Sequence, residues 1–333
     1  MKKTFFIIMI LGFAVISFTN PIGELFKSAL NSNKGIKMTM LNFESAQMEH
    51  EKALIEASNK KALLSAELSM LNERASYIKG QADFYSEVVD AFFAVKSAQI
   101  ELEISQLQLG IVQNDHKNAK LSFEKGMISL NSLKDSEVAV IDAQSQEEKA
   151  RKDYNDALTA FKRATGTEYA DYEVKPCDYK ECGFSYEAFK ENDLSLKAQQ
   201  INLQLAEYDL QNLSSNSSYY EKRGLEIKLE ISQMNLKNKE ESVSESYENA
   251  LAMVSSLYSS LQSSGVKLQI KQSVYEDSQK RFEKGFVSEK DNINQKISYM
   301  SAQKAYNENI KSYIKALVSL IFNCGLSVGE AVL

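Results

Sequence analysis

Two long stretches of the sequence contain no proline and keep a helical pattern over the same length. They run from about Lys60 to Glu124 and from about Tyr219 to Glu283. Because an α-helix rises 1.5 Å per residue, each stretch predicts a helix about 100 Å long. Helices in globular proteins average only about 10–14 residues. The chain therefore predicts an all-α fold of the coiled-coil or helical-array type.

A sequence repeat relates the two stretches. The phrase FEKGMIS at 123–129 returns as FEKGFVS at 282–288, which is 159 positions later. The same offset aligns Tyr154 with Tyr313, far from the phrase. A register that holds over this distance indicates duplication and fusion of one helical unit. We expect this division of the chain: a signal peptide at 1–19, repeat 1 at 20–166, a linker at 167–186, repeat 2 at 187–325 and a C-terminal tail at 326–333.

The repeated phrase predicts a tight turn between helices. Gly126 and Gly285 are its central residues, and glycine enters the left-handed backbone region that commonly follows a helix end. Ser129 and Ser288 follow three residues later and are good N-caps for returning helices. Each repeat is therefore expected to end in a long antiparallel helical hairpin.

Apolar residues recur along both long stretches in seven-residue steps, as they do in coiled coils. The first series is interrupted only by His116. The series consist of Val88, Val95, Leu102, Leu109 and Phe123, and of Tyr247, Val254, Leu261, Leu268, Tyr275 and Phe282. A second stripe on the opposite side of the first helix consists of Phe93, Ile100, Ile104, Leu107 and Ile111. Two opposed stripes predict two packing partners and favour a curved wall of helices around a solvated space; a solid bundle core is the alternative.

The N-terminus predicts export. Two lysines precede an apolar run from Phe5 to Phe18, which is the pattern of a signal peptide and is short for a bilayer span. Retention as an uncleaved anchor is the alternative. Because exported proteins favour disulfides, we expect Cys177 and Cys182 to form a local bridge, with a pair of free thiols as the alternative. Cys324 has no partner nearby in the sequence.

Charge and motifs argue against several functions. A net charge of -6 without a basic cluster argues against nucleic-acid binding. The histidines, His50 and His116, lack the spacing of metal ligands, so no metal site is expected. The sequence shows no phosphate-binding loop, HExxH motif or nucleophile elbow, and we expect neither an enzyme nor a cofactor.

Four segments resemble the TolC-type outer-membrane efflux proteins, whose chains are tandem repeats of long helices that form a trimeric duct. The segments are ALNSNKGIKMTMLNFESAQMEHEKA from Ala29, LSFEKGMISLNSLKDSEVAVIDAQ from Leu121, AFKENDLSLKAQQINLQLAEYDL from Ala188 and RFEKGFVSEKDNINQKISYMSAQ from Arg281. In that family each repeat inserts two transmembrane strands before its long descending helix. Here the corresponding positions hold the polar turns 58–60 and 214–218. The resemblance therefore implies a protomer of a helical barrel without the transmembrane β-strands.

By the same resemblance, the hairpin tips would dock onto a periplasmic adaptor, although they could equally only cover the hairpin ends. The tip residues are Gly126, Met127, Ser129, Gly285, Phe286 and Ser288. Acidic residues after the second tip ring a narrow aperture in the family, and the aperture candidates here are Asp291, Asn294 and, more weakly, Asp135. The alternative for Asp291 is a favourable acidic position in the first turn of a helix.

The implied function is that of an exported component of a multi-part efflux or type I secretion system. Its implied partners are further copies of the chain in a homotrimer, a periplasmic adaptor and an inner-membrane pump. Its implied location is the periplasm or cell envelope, with outer-membrane association left open. The alternative is a structural coiled-coil spacer or tether without a channel.

Overall fold

The structure is a computed structural model that describes residues 21–30, 34–56 and 59–324. The expected signal peptide and C-terminal tail lie outside these ranges. The helices are α1 Pro21–Leu30, α2 Lys34–Glu56, α3 Lys60–Glu124, α4 Leu130–Thr165, α5 Tyr186–Asn192, α6 Leu194–Gln211, α7 Tyr219–Glu283 and α8 Glu289–Asn323, with a 3-10 turn at Tyr179–Cys182. The described residues contain no β-strand. The predicted all-α repeat of long hairpins is confirmed.

The two longest helices begin and end at the predicted residues. Both α3 and α7 contain 65 residues. The side chain of Asn59 caps α3 by accepting a hydrogen bond from the Ala62 amide at 2.9 Å. Ser218 and Glu221 form a reciprocal capping box at the start of α7. These caps satisfy backbone groups that the first helical turn leaves unpaired.

The long helices lie side by side in a wall. The pairs of helices that pack extensively give the order of the helices across it. Toward the two glycine turns, in what we call the hairpin half, the order is α4, α3, α8, α7. Toward the other end, in what we call the cap half, the order is α2, α3, α6, α7. Helix α7 therefore forms one edge of the wall along its whole length, while α2 and α4 form the other edge. The prediction that α3 has two packing partners is confirmed.

The largest core lies at the waist, where α1, α5 and the linker pack on the long helices. Phe26 of α1 lies 5.6 Å from Phe84 and 5.1 Å from Tyr85, measured between ring centroids. The fully buried side chains of this core include Ile22, Phe26, Val88, Val89, Phe92, Val95, Phe161, Val243, Tyr313 and Leu320. Burying an aliphatic or aromatic side chain of this size stabilises the fold by about 1.5–3 kcal/mol.

Burial along the seven-residue seams decreases toward the hairpin tips. Val88 and Val95 are fully buried, but Phe123 is 37% and Phe282 is 40% exposed. The seven-residue spacing predicts a buried face along the whole of each series, and this prediction is wrong at the last step. The tips lie beyond α1, α2, α5, α6 and the linker, so only neighbouring hairpin helices remain to cover these side chains.

Four lysines of α8 form ion pairs with four acidic residues of α3. The pairs are Lys290–Asp115, Lys296–Glu103 and Lys304–Glu101, each at 2.7 Å, and Lys315–Asp90 at 2.6 Å. Under them, Ile100 and Ile104 of α3 pack with Met300 of α8. Each exposed pair contributes only about 0–1 kcal/mol. Together the four ion pairs hold the hairpin formed by α7 and α8 against the hairpin formed by α3 and α4 in a single register.

Candidate functional site

Both hairpin tips have the same backbone geometry. Gly126 and Gly285 have φ angles of 72° and 76°, in the left-handed region that favours glycine. The glycine amide donates to the carbonyl three residues back, and the next amide donates to the carbonyl five residues back, all at 2.8 Å. This pair of hydrogen bonds is the Schellman motif that ends many helices. The predicted glycine turns are therefore present in the structure at both positions.

Serine side chains start the returning helices. The Oγ atom of Ser129 accepts from the Ser132 amide, and that of Ser288 accepts from the Asp291 amide, both at 3.1 Å. The Ser288 hydroxyl also donates to the Asp291 carboxylate at 2.7 Å. Asp291 thus occupies the third position of α8, where a negative charge is favoured by the helix dipole. This position agrees with the alternative interpretation, and the Asp291 side chain in addition accepts a hydrogen bond from the cap residue.

The two tips present apolar side chains at the same end of the wall. Met127 is 74% exposed and Phe286 is 72% exposed. The ion pair between Lys290 and Asp115 brings the start of α8 beside the last turns of α3. Largely exposed apolar residues at two neighbouring corners offer contact area to a partner. The aperture candidates Asp135, Asn294 and Asp291 are also exposed.

Substituting the tip glycines tests the backbone geometry. We expect Gly285→Val to lower the free energy of unfolding by about 1 kcal/mol or more, because a valine is strained at this φ angle. A Cβ atom there would meet nothing within 4 Å, so the cost comes from the backbone alone. Gly110→Ala is the matched control, since Gly110 lies inside α3 and also has nothing within 4 Å. The control should raise stability by about 0.5–1 kcal/mol. Equal effects of both changes in urea unfolding would contradict this geometry.

The edges of the wall carry apolar stripes that the sequence interpretation missed. In the cap half, α2 exposes Leu41, Met48 and Ile55, and α7 exposes Tyr220, Ile227 and Met234, each at least 42%. Both series advance in seven-residue steps. In the hairpin half, α4 exposes Leu130, Val138 and Ile141, and α7 exposes Val266, Ile270 and Val274, each at least 43%. The seven-residue spacing from Leu41 to Ile55 was a signal available in the sequence.

A buried carboxylate lies between α3 and α4. Glu147 is buried, and its carboxylate accepts hydrogen bonds from two Arg151 nitrogens at 2.6 and 3.2 Å and from Gln106 at 3.5 Å. The hydrogen bonds from Arg151 lower the pKa of Glu147. These residues join the two helices of the first hairpin, α3 and α4. Glu147 and Arg151 also help to line an open groove of about 620 Å³. Since the charges of Glu147 and Arg151 pair with each other, the cluster is a structural contact between the two helices.

The remaining predicted site residues lie in the linker or on separate helices. Cys177 and Cys182 are thiols side by side near the 3-10 turn, and Cys324 is a buried thiol. The predicted bridge between the first two stays a prediction. Within residues 21–30, 34–56 and 59–324, no three side chains of the metal-ligating types lie close enough together to hold a metal ion. Each helix within these ranges is too short or too polar to cross a bilayer.

Comparison with known proteins gives structural likeness at low sequence identity. No family profile and no curated protein matches the sequence. Among solved structures, the VceC outer membrane protein of Vibrio cholerae is 10% identical, with a TM-score of 0.63 over 91% of this chain and 96% of that one. The CmeC outer membrane channel of Campylobacter jejuni is 12% identical, with a TM-score of 0.58 over 91% and 85%. The MtrE outer membrane channel of Neisseria gonorrhoeae, in its open state, is 12% identical, with a TM-score of 0.55 over 94% and 90%.

These likenesses extend over nearly the whole described chain and include both hairpins. The described helices and their two glycine turns agree with the fold implied by the sequence resemblance. The chain therefore has the helical fold of the TolC-type outer-membrane channels.

Proposed function

We propose that the chain is an exported component of a multi-part efflux or type I secretion system. In this proposal, copies of the chain assemble into a helical duct in the periplasm or cell envelope, and the hairpin tips dock onto an adaptor that leads to an inner-membrane pump. The observation that carries the proposal is the pair of apolar stripes on opposite edges of one wall.

The stripes match each other in height along the wall. Ile55 lies one residue before the end of α2, and Tyr220 lies one residue after the start of α7. Because α2 rises toward the cap end and α7 descends from it, equal steps of seven keep the stripes level. Met48 then lies opposite Ile227 of a neighbouring copy, and Leu41 lies opposite its Met234. This antiparallel pairing is the spacing that a two-helix coiled-coil seam requires.

The stripe on α7 faces away from its own chain. At 100° per residue, Ile227, Ile231 and Met234 lie within about 60° of one another and nearly opposite the fully buried Val243. A contact between this edge and the α2 edge of the next copy uses two different surfaces. Such head-to-tail contacts close into a ring when the rotation permits. A ring therefore covers both stripes in every copy.

The number of copies sets the width of the channel. Each chain contributes four helices across the wall in either half. Helices pack about 10 Å apart, so three copies, or about twelve helices, would enclose a lumen roughly 30 Å wide. Two copies would leave roughly 15 Å by the same arithmetic. We propose the trimer, which is also the assembly that the sequence resemblance implied.

A charged substitution at both hairpin tips tests adaptor docking. Met127→Glu together with Phe286→Glu should abolish co-purification of a periplasmic adaptor with this chain, because a charge replaces the apolar contact at both corners. The stability should change by less than about 0.5 kcal/mol, since both side chains are exposed. Met253→Glu is the control, a 58% exposed apolar residue near the middle of α7 and far from both corners. Unchanged adaptor recovery from the double variant would contradict tip docking.

The aperture is proposed to lie just inside the second tip. Three copies of Asp291 around an axis would attract cations, as acidic rings do in cation pores. Asn294, one turn farther along α8, would add a polar ring without charge, and Asp135 lies on the other hairpin. The cap formed with Ser288 orients the Asp291 carboxylate in each copy.

A further inference from the structure

The linker at 167–186, which we call the belt, is held against the long helices by polar contacts. Lys96 of α3 forms an ion pair with Asp171 at 2.8 Å and donates to the Tyr172 carbonyl at 2.6 Å. The Tyr179 hydroxyl donates to Ser255 of α7 at 3.0 Å. Two further tyrosine hydroxyls, those of Tyr313 on α8 and Tyr247 on α7, donate to the carbonyls of Cys177 at 2.8 Å and Phe184 at 3.3 Å. The belt therefore joins both repeats at the waist.

Two thiols lie at the point where the belt meets α8. Cys182 is the last residue of the 3-10 turn and Cys177 lies two residues before its start; both thiols are half-buried and lie close enough to interact. Cys182 also donates to the Asp178 carbonyl at 3.9 Å. The Cys177 carbonyl accepts the hydrogen bond from the Tyr313 hydroxyl. The pair thus lies next to a fully buried tyrosine of the core.

We propose that Cys177 and Cys182 form a redox-active dithiol, which a disulfide-carrying oxidant converts into an intrachain bridge that locks the belt on Tyr313. The oxidant that reacts at this site is a disulfide, either a small one such as oxidised glutathione or one carried by a protein of the thiol oxidoreductase class. The proposal is independent of ring formation and of adaptor docking.

The exchange balances without any other reactant. The Cys182 thiolate attacks one sulfur of the oxidant, and the other sulfur leaves as a thiolate and takes up the proton that Cys182 lost. The Cys177 sulfur, after losing its proton, then displaces the remaining oxidant sulfur, which leaves as the second thiol. Two protein thiols and one disulfide thus become one protein disulfide and two thiols.

The directions of the two pKa shifts favour Cys182 as the attacking sulfur. The hydrogen bond from the Cys177 thiol lowers the pKa of Cys182, and the same interaction raises the pKa of Cys177. The charges of Glu181 and Asp178 oppose ionisation of Cys182. Cys324 is a weaker nucleophile, because burial raises the pKa of its thiol to about 11.

Tryptic mapping of the full chain tests the bridge directly. The protein is incubated with oxidised glutathione, its free thiols are alkylated, and it is digested under denaturing conditions. Trypsin cuts after Lys180, between the two cysteines, and does not cut the Lys175–Pro176 bond. We expect peptides 164–180 and 181–190 to be recovered as one disulfide-linked pair, with Cys324 alkylated. A link to Cys324, a link between chains, or complete alkylation of Cys177 and Cys182 would overturn the proposal.

Single variants separate the roles of the two sulfurs. Cys177→Ser should trap a glutathione adduct on Cys182, and Cys182→Ser should slow adduct formation at Cys177 by about tenfold or more. The Cys324→Ser control should leave the linked peptides unchanged. Oxidation should raise the melting temperature of the native chain by about 3 °C and leave that of Cys177→Ser unchanged. Equal adduct rates in the two variants would contradict the assignment of Cys182.

Discussion

Replacing Ile227 and Ile231 with glutamate is expected to break the assembly into single chains. Both residues lie on the exposed stripe of α7 and become buried when the next copy covers it. An unpaired carboxylate in an apolar seam costs several kcal/mol, and each ring contains the seam once per copy. Light scattering should give the mass of a single chain, which is 37.5 kDa with the signal peptide and slightly less without it.

The same charge placed off the stripe is the matched control. Gln233 and Lys237 are exposed on α7 but lie about 90° or more around the helix from the centre of the stripe. Gln233→Glu with Lys237→Glu should leave the mass of the assembly unchanged. Dissociation by both double variants would show that added negative charge on α7 acts generally. An intact ring after Ile227→Glu with Ile231→Glu would place the seam elsewhere.

Phe92→Ala is expected to lower the free energy of unfolding by about 3–5 kcal/mol, because a fully buried phenylalanine leaves a cavity when it is truncated. Phe92 is 0% exposed. Its ring centroid lies 5.3 Å from that of Phe93, 6.5 Å from that of Phe161 and 5.6 Å from that of Tyr169. The side chain therefore joins α3 to α4 and to the linker.

Urea unfolding at fixed protein concentration measures this loss, since assembly makes stability depend on concentration. Phe286→Ala is the control of the same residue type, and because Phe286 is largely exposed it should change stability by less than about 0.5 kcal/mol. A loss below about 1 kcal/mol for Phe92→Ala would show that the waist core does not hold the hairpins together.

The long hairpins were predictable from the sequence because their signals are local. The absence of proline keeps a helix running, and a glycine followed by a serine ends one helix and starts the next. The structure confirms these features at Gly126 and Gly285, each with its serine cap. The repeat adds support, because the same pattern appears twice at one offset.

The edges of the wall were not predicted, because an apolar stripe does not reveal which chain will cover it. Leu41 and Val95 both belong to stripes with seven-residue spacing, yet Leu41 is exposed and Val95 is fully buried. The difference depends on the number of neighbours at each height, which only the three-dimensional order of the helices gives. The same cause explains the exposure of Phe123 at the end of an otherwise buried seam.

The sequence predicted a linker at 167–186, but the contacts that hold it were beyond sequence reasoning. It has no periodic pattern, and its position depends on contacts between residues far apart in the chain, such as that of the Tyr313 hydroxyl with the Cys177 carbonyl. For Asp291, the sequence allowed both an aperture residue and a favourable acidic position in the first turn of a helix. The structure shows the hydrogen bonds of the cap, and these are compatible with a carboxylate that also faces an axis.

The most direct test of the central claim is the mass and shape of the mature protein, measured by light scattering together with negative-stain imaging. A duct must close around an axis, so we predict a hollow trimer about 100 Å or more in length, set by the 65-residue helices. A monomer or a solid dimer would contradict the duct and favour a coiled-coil spacer or tether in the cell envelope.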